Sequence, residues 1–584
     1  MTEYKSQVWR VNVREQTLNR DDVPETWVRL GGRGLLARIM LDEMDAKCDP
    51  LGAGNMLIFA PGLLVGHMLS STDRISVGGK SPLTGGIKEA NAGGRTGYHM
   101  AFMGMKVLII EDKPKEDGFW VLHLSLNGGC AKWEKADDPS IYTGQSLVGL
   151  GVYETAPKLL EKYGDKVAIA LIGPGGEMLM KSAGIQNIDK DKVPARIAAR
   201  GGLGAVMGSK GLKAIVFDHA GGQRPPIVSL EAFKVAQKDY TKAVMVHPQS
   251  ITYRDYGTAA MTQLTQQFAG IPVHNFSRGT FEHVENVSGE KLREFTLERG
   301  KPSDPSHACM AGCTIKCSNV FGGEDGKIIV SPLEYETIGL MGTNLDIDSL
   351  DTIGRLNWQV NDLGLDSIEV GAALGVAAEA GLMKWGSEED AMKLINEIRK
   401  GTELGRKLGD GAADMGDAYN IERVPVVKRQ AMSAYEPRSI KGTGVTYATT
   451  PQGADHTCGL TIRAKIDHLD PNAQIEVSRN AQLNMGGYDT LGACIFAGFG
   501  YAATPDGVVQ RLLKARYGWD DLPDNILQAL GKETIKMERE FNKRAGFTAK
   551  DDRLPEWMTK EAIPENNSVF DVPEEQLDSI FDWE

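Results

Sequence analysis

Hydrophobic residues in roughly the first 215 positions fall into short runs that end at glycine, aspartate or proline. Apolar runs of about four to eight residues between turn-forming residues are typical of buried β-strands. The clearest are VWRVNV (8–13), MLIFAPG (56–62), RISVGG (74–79), KVLIIED (106–112), KVAIALIG (166–173) and KAIVFDHAG (213–221). Because glycine-dense loops separate these runs, we predict a β-rich region with short helices.

The pattern changes after GGQRPP at 221–226, whose two prolines and two glycines predict a linker. Farther along, SIEVGAALGVAAEAGLM (367–383) predicts an alanine-rich helix. EEDAMKLINEIRKG (388–401) predicts an amphipathic helix that stops at Gly401. Beyond about residue 425, helical stretches alternate with loops. We therefore predict an α+β protein with a β-rich base domain over 1–220 and two mainly helical domains over 221–424 and 425–584.

Composition narrows the class of protein. The 584 residues include 65 Lys and Arg against 78 Asp and Glu, a net charge of −13, whereas nucleic-acid binders need clustered basic residues. No apolar stretch reaches the roughly 18 residues that span a bilayer, and MTEYKSQVWRVNVREQ lacks a signal pattern. We therefore expect no nucleic-acid partner, no membrane span and a cytoplasmic location. Glycine is about 12% of the chain against a usual 7%, which indicates many tight turns or close approaches to a ligand.

The sharpest chemical signal is a group of cysteines. Seven cysteines, an odd number in a chain expected to be cytosolic, argue against a disulfide framework. Cys309, Cys313 and Cys317 lie within nine residues, and Cys494 follows far downstream. Such a set can hold a [4Fe–4S] cluster, and the spacing of four would stack the first three on one helical face. A structural zinc site and buried unreactive cysteines are the alternatives.

Two related short motifs follow: NDLGLD from Asn361 to Asp366, and DTLGAC from Asp489 to Cys494. A carboxylate can accept paired N–H bonds from an amino-pyrimidine edge, and glycine lets the backbone approach a flat ring. Either motif alone could be a helix C-terminus. Because the second ends on the candidate cluster ligand, the pair indicates two similar ring systems, one beside the cluster.

Glycine loops from Arg74 to Gly97 and from Arg200 to Gly211 expose backbone N–H groups beside basic side chains, which suits phosphate or pyrophosphate. GGKS lacks the earlier glycine of a P-loop, and GGLGAVMGSK departs from the spacing G-x-G-x-x-G. A Walker nucleotide site and a Rossmann dinucleotide site are therefore both excluded.

In combination, these segments resemble the tungsten-dependent aldehyde ferredoxin oxidoreductase family over nearly the whole chain. The resemblance is carried by GGRGLLARIM, KSPLTGGIKEANAGGRTG, RGGLGAVMGSKGLKAI, HACMAGCTIKCSN, EYETIGLMGTNL, NDLGLD, ATTPQGADHT and DTLGAC. It implies a tungsten (or molybdenum) ion held by two pyranopterin dithiolenes, a nearby [4Fe–4S] cluster, and Mg²⁺ bridging the pterin phosphates. These groups would be buried between the β-rich base and the two helical domains.

The resemblance also implies a role for each candidate residue. The cluster ligands would be Cys309, Cys313, Cys317 and Cys494. The pterin rings would be held by Asn361, Asp366 and Asp489. The pterin phosphates and their magnesium would be held by loops containing Arg74, Asn91, Gly93, Arg200 and Gly201. Glu336 and His456 would be the acid–base pair near the metal, with Glu334 as the alternative to Glu336.

The sequence departs from the family pattern at several positions. The expected cluster motif is Cys-x2-Cys-x3-Cys, but here the first gap also holds three residues. The Glu-x-x-His site that links subunits in some members maps to Arg355 and Trp358, so we expect no bridging metal and favour a hetero-oligomer. Asn361 replaces an expected Asp, and Ala493 an expected Leu. Cys458, two residues after His456, has no assigned role.

The activity that the resemblance implies is oxidation of an aldehyde with water to a carboxylic acid, or the reverse. No flavin or nicotinamide site is visible, so electrons would pass through the cluster to ferredoxin or an iron–sulfur partner subunit. One alternative is a tungsten-dependent aryl-CoA reductase catalytic subunit of the benzoyl-CoA type, a relative in which a cysteine thiolate can bind the metal. Another is an electron-transfer or scaffolding subunit with an idle pterin site, against which the presence of both Glu336 and His456 argues.

Overall fold

Two six-stranded sheets occupy the N-terminal third of the computed structural model, which describes residues 4–126, 131–504 and 507–583. The first sheet contains β1 (Gln7–Asn12), β2 (Thr17–Asp22), β3 (Leu57–Pro61), β4 (Ile75–Lys80), β5 (Ile87–Ala92) and β6 (Met105–Glu111). The second contains β7 (Trp120–Ser125), β8 (Ala131–Lys135), β9 (Ala168–Leu171), β10 (Ile185–Ile188), β11 (Pro194–Ala198) and β12 (Leu212–Asp218).

The two sheets have the same topology. The strand order is β2-β1-β6-β3-β4-β5 in the first sheet and, read from its β8 edge, β8-β7-β12-β9-β10-β11 in the second. Each sheet has one parallel pair, β1 with β6 and β7 with β12, and its other pairs are antiparallel. The first third is therefore built as two structurally equivalent halves.

Apolar side chains of the two sheets share one core. Phe59 of β3 and Phe217 of β12 lie with ring centroids 6.3 Å apart, and both are fully buried. Strands such as β3, in which every residue is buried, read as continuous apolar runs because both of their faces are covered.

Helices dominate the rest of the chain. Those associated with the sheets are α1 (Glu25–Val28), α2 (Gly32–Glu43), α3 (Thr96–Phe102), α4 (Val152–Tyr163), α5 (Pro174–Glu177) and α6 (Leu203–Ser209). The middle of the chain adds α7 (Leu230–Val246), α8 (Pro248–Tyr256), α9 (Met261–Gln267), α10 (Gly289–Arg299), α11 (Tyr335–Met341), α12 (Leu350–Asp362), α13 (Ser367–Glu379), α14 (Glu388–Lys400), α15 (Glu403–Asp410) and α16 (Ala412–Tyr419). The last part adds α17 (Lys441–Thr449), α18 (Gln474–Leu491), α19 (Gly498–Ala503), α20 (Val508–Tyr517), α21 (Ile526–Ala545), α22 (Glu556–Lys560) and α23 (Glu574–Ser579).

Short strands complete the described structure. A three-stranded sheet contains β13 (Asp304–His307), β14 (Ser318–Gly322) and β15 (Ile328–Val330), and a two-stranded one contains β16 (Val426–Val427) and β17 (Gln430–Ala431). Within the described ranges, no helix has the length and apolar character needed to cross a membrane.

The C-terminal helices pack directly on the first sheet. Met537 and Phe541 of α21 lie in the same core as Leu36 of α2. Helices α18 and α21 approach closely, because a Cβ on Gly531 would collide with the carbonyl oxygen of Leu483. The C-terminal helix α21 thus packs against the N-terminal part of the chain. This packing places α18 and its motif beside the first sheet.

The predicted α+β class is confirmed, and the division into three domains stays a prediction. The six apolar runs correspond to β1, β3, β4, β6, β9 and β12. The helices predicted over 367–383 and 388–401 correspond to α13 and α14, and Gly401 ends α14 in the left-handed region, with φ 65°. The other six strands of the two sheets, and the duplication itself, were not predicted.

Candidate active site

Four cysteines from two distant segments of the chain lie close together. Cys309, Cys313 and Cys317 lie in the loop between β13 and β14, and Cys494 precedes a short 3₁₀ turn. Ser71 contacts both segments, because its carbonyl oxygen accepts from the Cys494 N–H at 2.8 Å and its hydroxyl lies 3.6 Å from Cys313 Sγ. The predicted convergence is therefore present, but the predicted helical face is wrong, since a loop carries the three close cysteines.

The cysteine environment disfavours free thiolates. Burial raises the pKa of the Cys309 thiol to about 12, and the neighbouring Cys313 adds to the rise. Burial also raises the pKa of Cys317, helped by Glu334 and the other three thiols. Such a set becomes favourable when metal ions replace the thiol protons and compensate the negative charge.

The two motifs have the same backbone geometry. Each begins at the C-terminal end of a helix, α12 or α18, and each bends at a glycine with positive φ: 72° at Gly364 and 78° at Gly492. A residue with a Cβ would be strained at these positions, which is why glycine occupies both.

Each motif then pairs with a loop of one half of the β-rich region. The N–H of Asp366 donates to the carbonyl oxygen of Ser182 at 2.9 Å, and the N–H of Cys494 donates to that of Ser71 at 2.8 Å. Isolated antiparallel bridges join Ala183 to Leu365 and Thr72 to Ala493. The structure thus places Asp366 and Cys494 at equivalent positions in the two halves.

A cavity of about 220 Å³ lies beside the second motif, and Ile368, which follows the first motif, also lines it. Its wall includes six of the predicted site residues: Arg74, Asn91, Arg200, His456, Asp489 and Cys494. The β-rich region and the last third of the chain both contribute, so the cavity forms only in the folded protein.

The basic side chains of the wall are held from several directions. Arg74 donates through Nε to Asn91 Oδ1 and through Nη2 to the Asn91 carbonyl oxygen at 3.1 Å. Arg200 Nε lies 3.2 Å from Asp366 Oδ2, and its Nη1 donates to Ser433 Oγ at 3.2 Å. These contacts fix two guanidinium groups at the cavity.

Asp489 belongs to a buried network of charged residues, of which Arg33 and Glu538 were not predicted. Arg33 Nη1 lies 3.3 Å from Asp489 Oδ2, and Arg33 Nε donates to Glu538 at 2.7 Å. Burial and the nearby Glu89 raise the pKa of Asp489 well above its ordinary value, although Arg33 opposes the rise. A ligand with N–H donors would stabilise this carboxylate in its ionised form.

Glu336 and His456 form a close pair. Glu336 Oε1 lies 3.2 Å from His456 Nε2, and Glu336 Oε2 accepts from the Ala434 N–H at 2.8 Å. On the other side of the imidazole, Nδ1 lies 2.8 Å from Ser433 Oγ. Burial raises the pKa of Glu336, and His456 partly offsets the rise. Glu334 instead contacts Thr258 and Ser318, so the structure separates the two glutamates that the sequence left as alternatives.

Other residues singled out in the sequence lie outside the wall of this cavity. A Cβ on Gly93 would approach Cys309 Sγ to 3.2 Å, and one on Gly201 would overlap Lys88. Asn361 lies near the C-terminal end of α12, where its carbonyl oxygen accepts from Gln186 at 3.4 Å. Cys458 is buried near Arg33, and burial raises its pKa to about 12.

Two further charged residues of the site were not predicted. Lys88 donates to Asp455 Oδ2 at 2.9 Å, and both side chains are buried. Although burial opposes it, Lys88, Arg200 and His456 hold the pKa of Asp455 well below its usual range. Both residues could have been found as charged residues inside motifs that the sequence analysis quotes. Lys88 lies within KEANAGG and Asp455 within GADHT.

Comparison with known proteins identifies the family. The family model described as aldehyde ferredoxin oxidoreductase, N-terminal domain, matches residues 8–219. The model described as aldehyde ferredoxin oxidoreductase, domains 2 & 3, matches residues 235–582. The chain belongs to the aldehyde ferredoxin oxidoreductase family. The predicted family and the predicted oxidoreductase class are therefore confirmed.

Known relatives of this aldehyde ferredoxin oxidoreductase family member match over most of their length. The tungsten-containing aldehyde ferredoxin oxidoreductase of Thermococcus kodakarensis is 32% identical, with 93% of this chain and 89% of that protein covered. That of Pyrococcus furiosus is also 32% identical, with 95% and 91% covered. A WOR-like subunit of an aliphatic sulfonate oxidoreductase, also from Pyrococcus furiosus, is 27% identical, with 78% and 74% covered.

A solved structure shares the fold of this family member. It is the active site complex BamBC of benzoyl coenzyme A reductase with 1,5-dienoyl-CoA. The TM-score is 0.78 at 18% identity, and the match covers 99% of this chain and 94% of that one. At this identity the likeness concerns architecture, and it agrees with the α+β fold described above.

Proposed function

We propose that this chain is a tungsten–pterin oxidoreductase that interconverts an aldehyde and its carboxylic acid. The observation that carries the proposal is the Glu336–His456 pair, 3.2 Å apart, with His456 in the wall of the cavity beside the second motif. The family membership and the names of the 32% identical relatives support the same chemistry.

The residues present fit the proposed cofactors. Four thiols from two segments, with Cys313 buried and the other three partly exposed, suit a [4Fe–4S] cluster. Its ligands would be Cys309, Cys313, Cys317 and Cys494. Asp366 and Asp489, one in each motif, suit the N–H edges of two pterin rings. Arg74 and Arg200 suit pterin phosphates, and Asn91 offers an oxygen ligand for Mg²⁺. When bound, the tungsten–pterin group would supply Lewis acidity and two-electron redox chemistry, and the cluster single-electron transfer.

In the proposed reaction, the protein side chains accept and transfer the protons released from water. An aldehyde and water give a carboxylic acid, two protons and two electrons. Glu336 Oε2 is held by the Ala434 N–H, whereas Oε1 is buried without a hydrogen bond, so Oε1 is the atom that can take a proton from the attacking water. Ser433 positions His456 through Nδ1, which leaves Nε2 facing Glu336 to pass that proton on.

The direct test is aldehyde-dependent reduction of a viologen dye by anaerobically purified protein, with tungsten and iron measured on the same sample. We expect turnover with aldehydes and none with aromatic acyl-CoA thioesters. Strict dependence on CoA thioesters would favour the aryl-CoA reductase alternative.

That alternative has less support, because Cys458, the extra thiol near His456, lies outside the cavity wall. If the protein contained its full complement of tungsten and iron but showed no turnover, the alternative of an electron-transfer or scaffolding subunit with an idle pterin site would be favoured.

The activity should depend on pH through Glu336. As a base it must be ionised, so kcat/KM is expected to fall as the pH drops through its folded pKa. Because burial raises that pKa, the acid limb should lie above 4.5, the ordinary value. His456 and Arg200 lower the pKa of Glu336 and Asp455 raises it, so His456→Asn should move the limb to higher pH. A limb that stays in place in this variant would contradict the assignment of the base, and the viologen assay measures both profiles.

We further propose that electrons leave beside the cysteine loop, at a surface on α7. Phe233, Tyr240 and Val244 face the core, whereas Lys234, Lys238 and Lys242 line the opposite, exposed face. Within the described chain, Lys238 and Lys242 form no ion pair. Met68, Met245 and Val246 are exposed beside them, and Gly312 of the cysteine loop lines the same depression.

This lysine face fits a small acidic iron–sulfur protein such as ferredoxin. Tyr240 of α7 donates to the Ser70 carbonyl oxygen at 2.7 Å, and the Ser70 and Thr314 hydroxyls lie 2.7 Å apart. Two hydrogen bonds thus connect the helix to the cysteine loop. Positive charge around an apolar patch speeds the encounter with an acidic partner.

Reversing the charges of Lys234, Lys238 and Lys242 to Glu should raise the KM for ferredoxin by about tenfold or more at low salt. Viologen reduction should be unchanged, because a small dye does not need the docking surface. The matched control is the triple change of Lys393, Lys400 and Lys407 to Glu, all exposed on α14 and α15. Equal effects of the two triple changes on steady-state ferredoxin kinetics would refute this docking surface.

A further inference from the structure

A second cavity, of about 360 Å³, is lined by residues at the ends of β2, β3 and β6 and shares no lining residue with the catalytic one. Its wall is largely apolar and includes Val23, Val28, Leu63, Val65, Met105 and Pro225. Neither the family assignment nor the proposed reaction uses it.

One cation in this wall lacks an acidic partner. Arg516 is 9% exposed, and its Nε donates to His67 Nε2 at 2.7 Å. Within the described residues it forms no ion pair, and its two terminal nitrogens make no hydrogen bond. Burial, with Arg516 and Arg224 nearby, lowers the pKa of His67 to about 3, so the imidazole is neutral and does not compensate the charge.

A second cation lies close by. Lys106 Nζ donates to the Val28 carbonyl oxygen at 3.0 Å and, among the residues described, has no carboxylate partner. Burial and the neighbouring Arg516 lower the pKa of Lys106 to about 7. Asp22 is the one carboxylate of the described lining, but it is exposed and paired with Lys5 at 2.5 Å.

A buried guanidinium without a counter-ion is costly inside a protein, and so is protonation of the neighbouring Lys106. An anion in the cavity would remove both costs. We propose that this cavity binds a small organic acid, with its carboxylate between Arg516 and Lys106 and its hydrocarbon part on the apolar wall. The free edge of a guanidinium matches the two oxygens of a carboxylate. The apolar wall favours a monocarboxylate over inorganic phosphate, which is hydrated on every side.

The site is independent of the proposed redox reaction, and its failure would leave that proposal intact. Its wall does contact the second motif, since the N–H of Leu63 donates to the Thr490 carbonyl oxygen at 3.1 Å. Tyr517 reinforces the same wall by donating to the Leu63 carbonyl oxygen at 2.8 Å.

The location is tested by soaking crystals of the holoenzyme in 6-bromohexanoate. The anomalous signal of bromine separates this cavity from the catalytic one, where an acid product would also bind. We expect a bromine peak against the apolar wall and carboxylate density within hydrogen-bonding distance of Arg516. A peak confined to the catalytic cavity would overturn the proposal.

The chemistry is tested by calorimetric titration with hexanoate, hexanamide and inorganic phosphate. For the site in this cavity, Arg516→Met should weaken hexanoate binding by about tenfold or more, whereas Arg355→Met, a remote exposed arginine, should leave it unchanged. On the unaltered protein, hexanamide should bind at least about tenfold more weakly than hexanoate at this site, which keeps the test valid if Arg516→Met fails to fold. Equal binding of the amide, or binding of phosphate in preference to hexanoate, would refute a carboxylate site.

Discussion

Glu336→Gln is expected to lower kcat for aldehyde oxidation by about 10²- to 10⁴-fold, the usual contribution of a positioned general base. Glutamine keeps the shape of the side chain and can still accept from the Ala434 N–H, so folding and tungsten content should not change. What is lost is the oxygen that faces His456 at 3.2 Å and can hold a proton. Single-turnover kinetics with a viologen acceptor would measure the effect on the chemical step.

Two comparisons make this test specific. Glu379→Gln alters an exposed glutamate and should leave kcat unchanged. Glu334→Gln tests the alternative that the sequence left open, since Glu334 contacts Thr258 and Ser318 rather than the imidazole. If Glu334→Gln caused the larger loss, the acid–base assignment would be wrong.

Cys494→Ser is expected to lower the iron content from about four atoms per chain to three or fewer. The rate of electron transfer to ferredoxin should fall as well. The variant lacks the thiol that the second motif, after α18, contributes to the proposed cluster. Iron analysis and the electron paramagnetic resonance signal of the reduced protein would measure the change without relying on turnover.

Two other cysteine variants serve as matched controls. Cys48→Ser changes a thiol in the loop after α2, and Cys458→Ser changes the buried thiol beside Arg33. Both variants should keep about four iron atoms per chain. Loss of iron in Cys458→Ser, or zinc in place of iron in the unaltered protein, would contradict the ligand set.

The sequence predicted strands that contain a clear apolar run, and it missed others for more than one reason. β3 and β6 read as continuous apolar runs, as expected of strands buried on both faces. β2, with the sequence TLNRDD, is an exposed edge strand without apolar alternation. β5 was missed for a different reason. It lines the site, and its charged residues Lys88 and Glu89 are buried there. These polar residues therefore indicate a functional strand, although in the sequence they resemble a loop.

The site residues that belong to recognisable sequence motifs could be predicted. Spacing and composition indicated the cysteine group, and the family resemblance indicated Glu336, His456 and Asp489. Arg33 and Glu538 were not found, because their importance depends on a contact between residues 505 positions apart in the sequence. The helical face predicted for the cysteines failed because the spacing of four suits a helix, but the chain there forms a loop between two strands.

The duplicated halves differ at one decisive place. Their motifs bend at equivalent glycines and pair with equivalent serines, yet one ends in Asp366 and the other in Cys494. Under the proposed assignment, a single side-chain difference connects one half to the electron carrier and leaves the other insulated. A symmetric scaffold would thereby give electrons a single route through the molecule, along the half whose motif ends in cysteine.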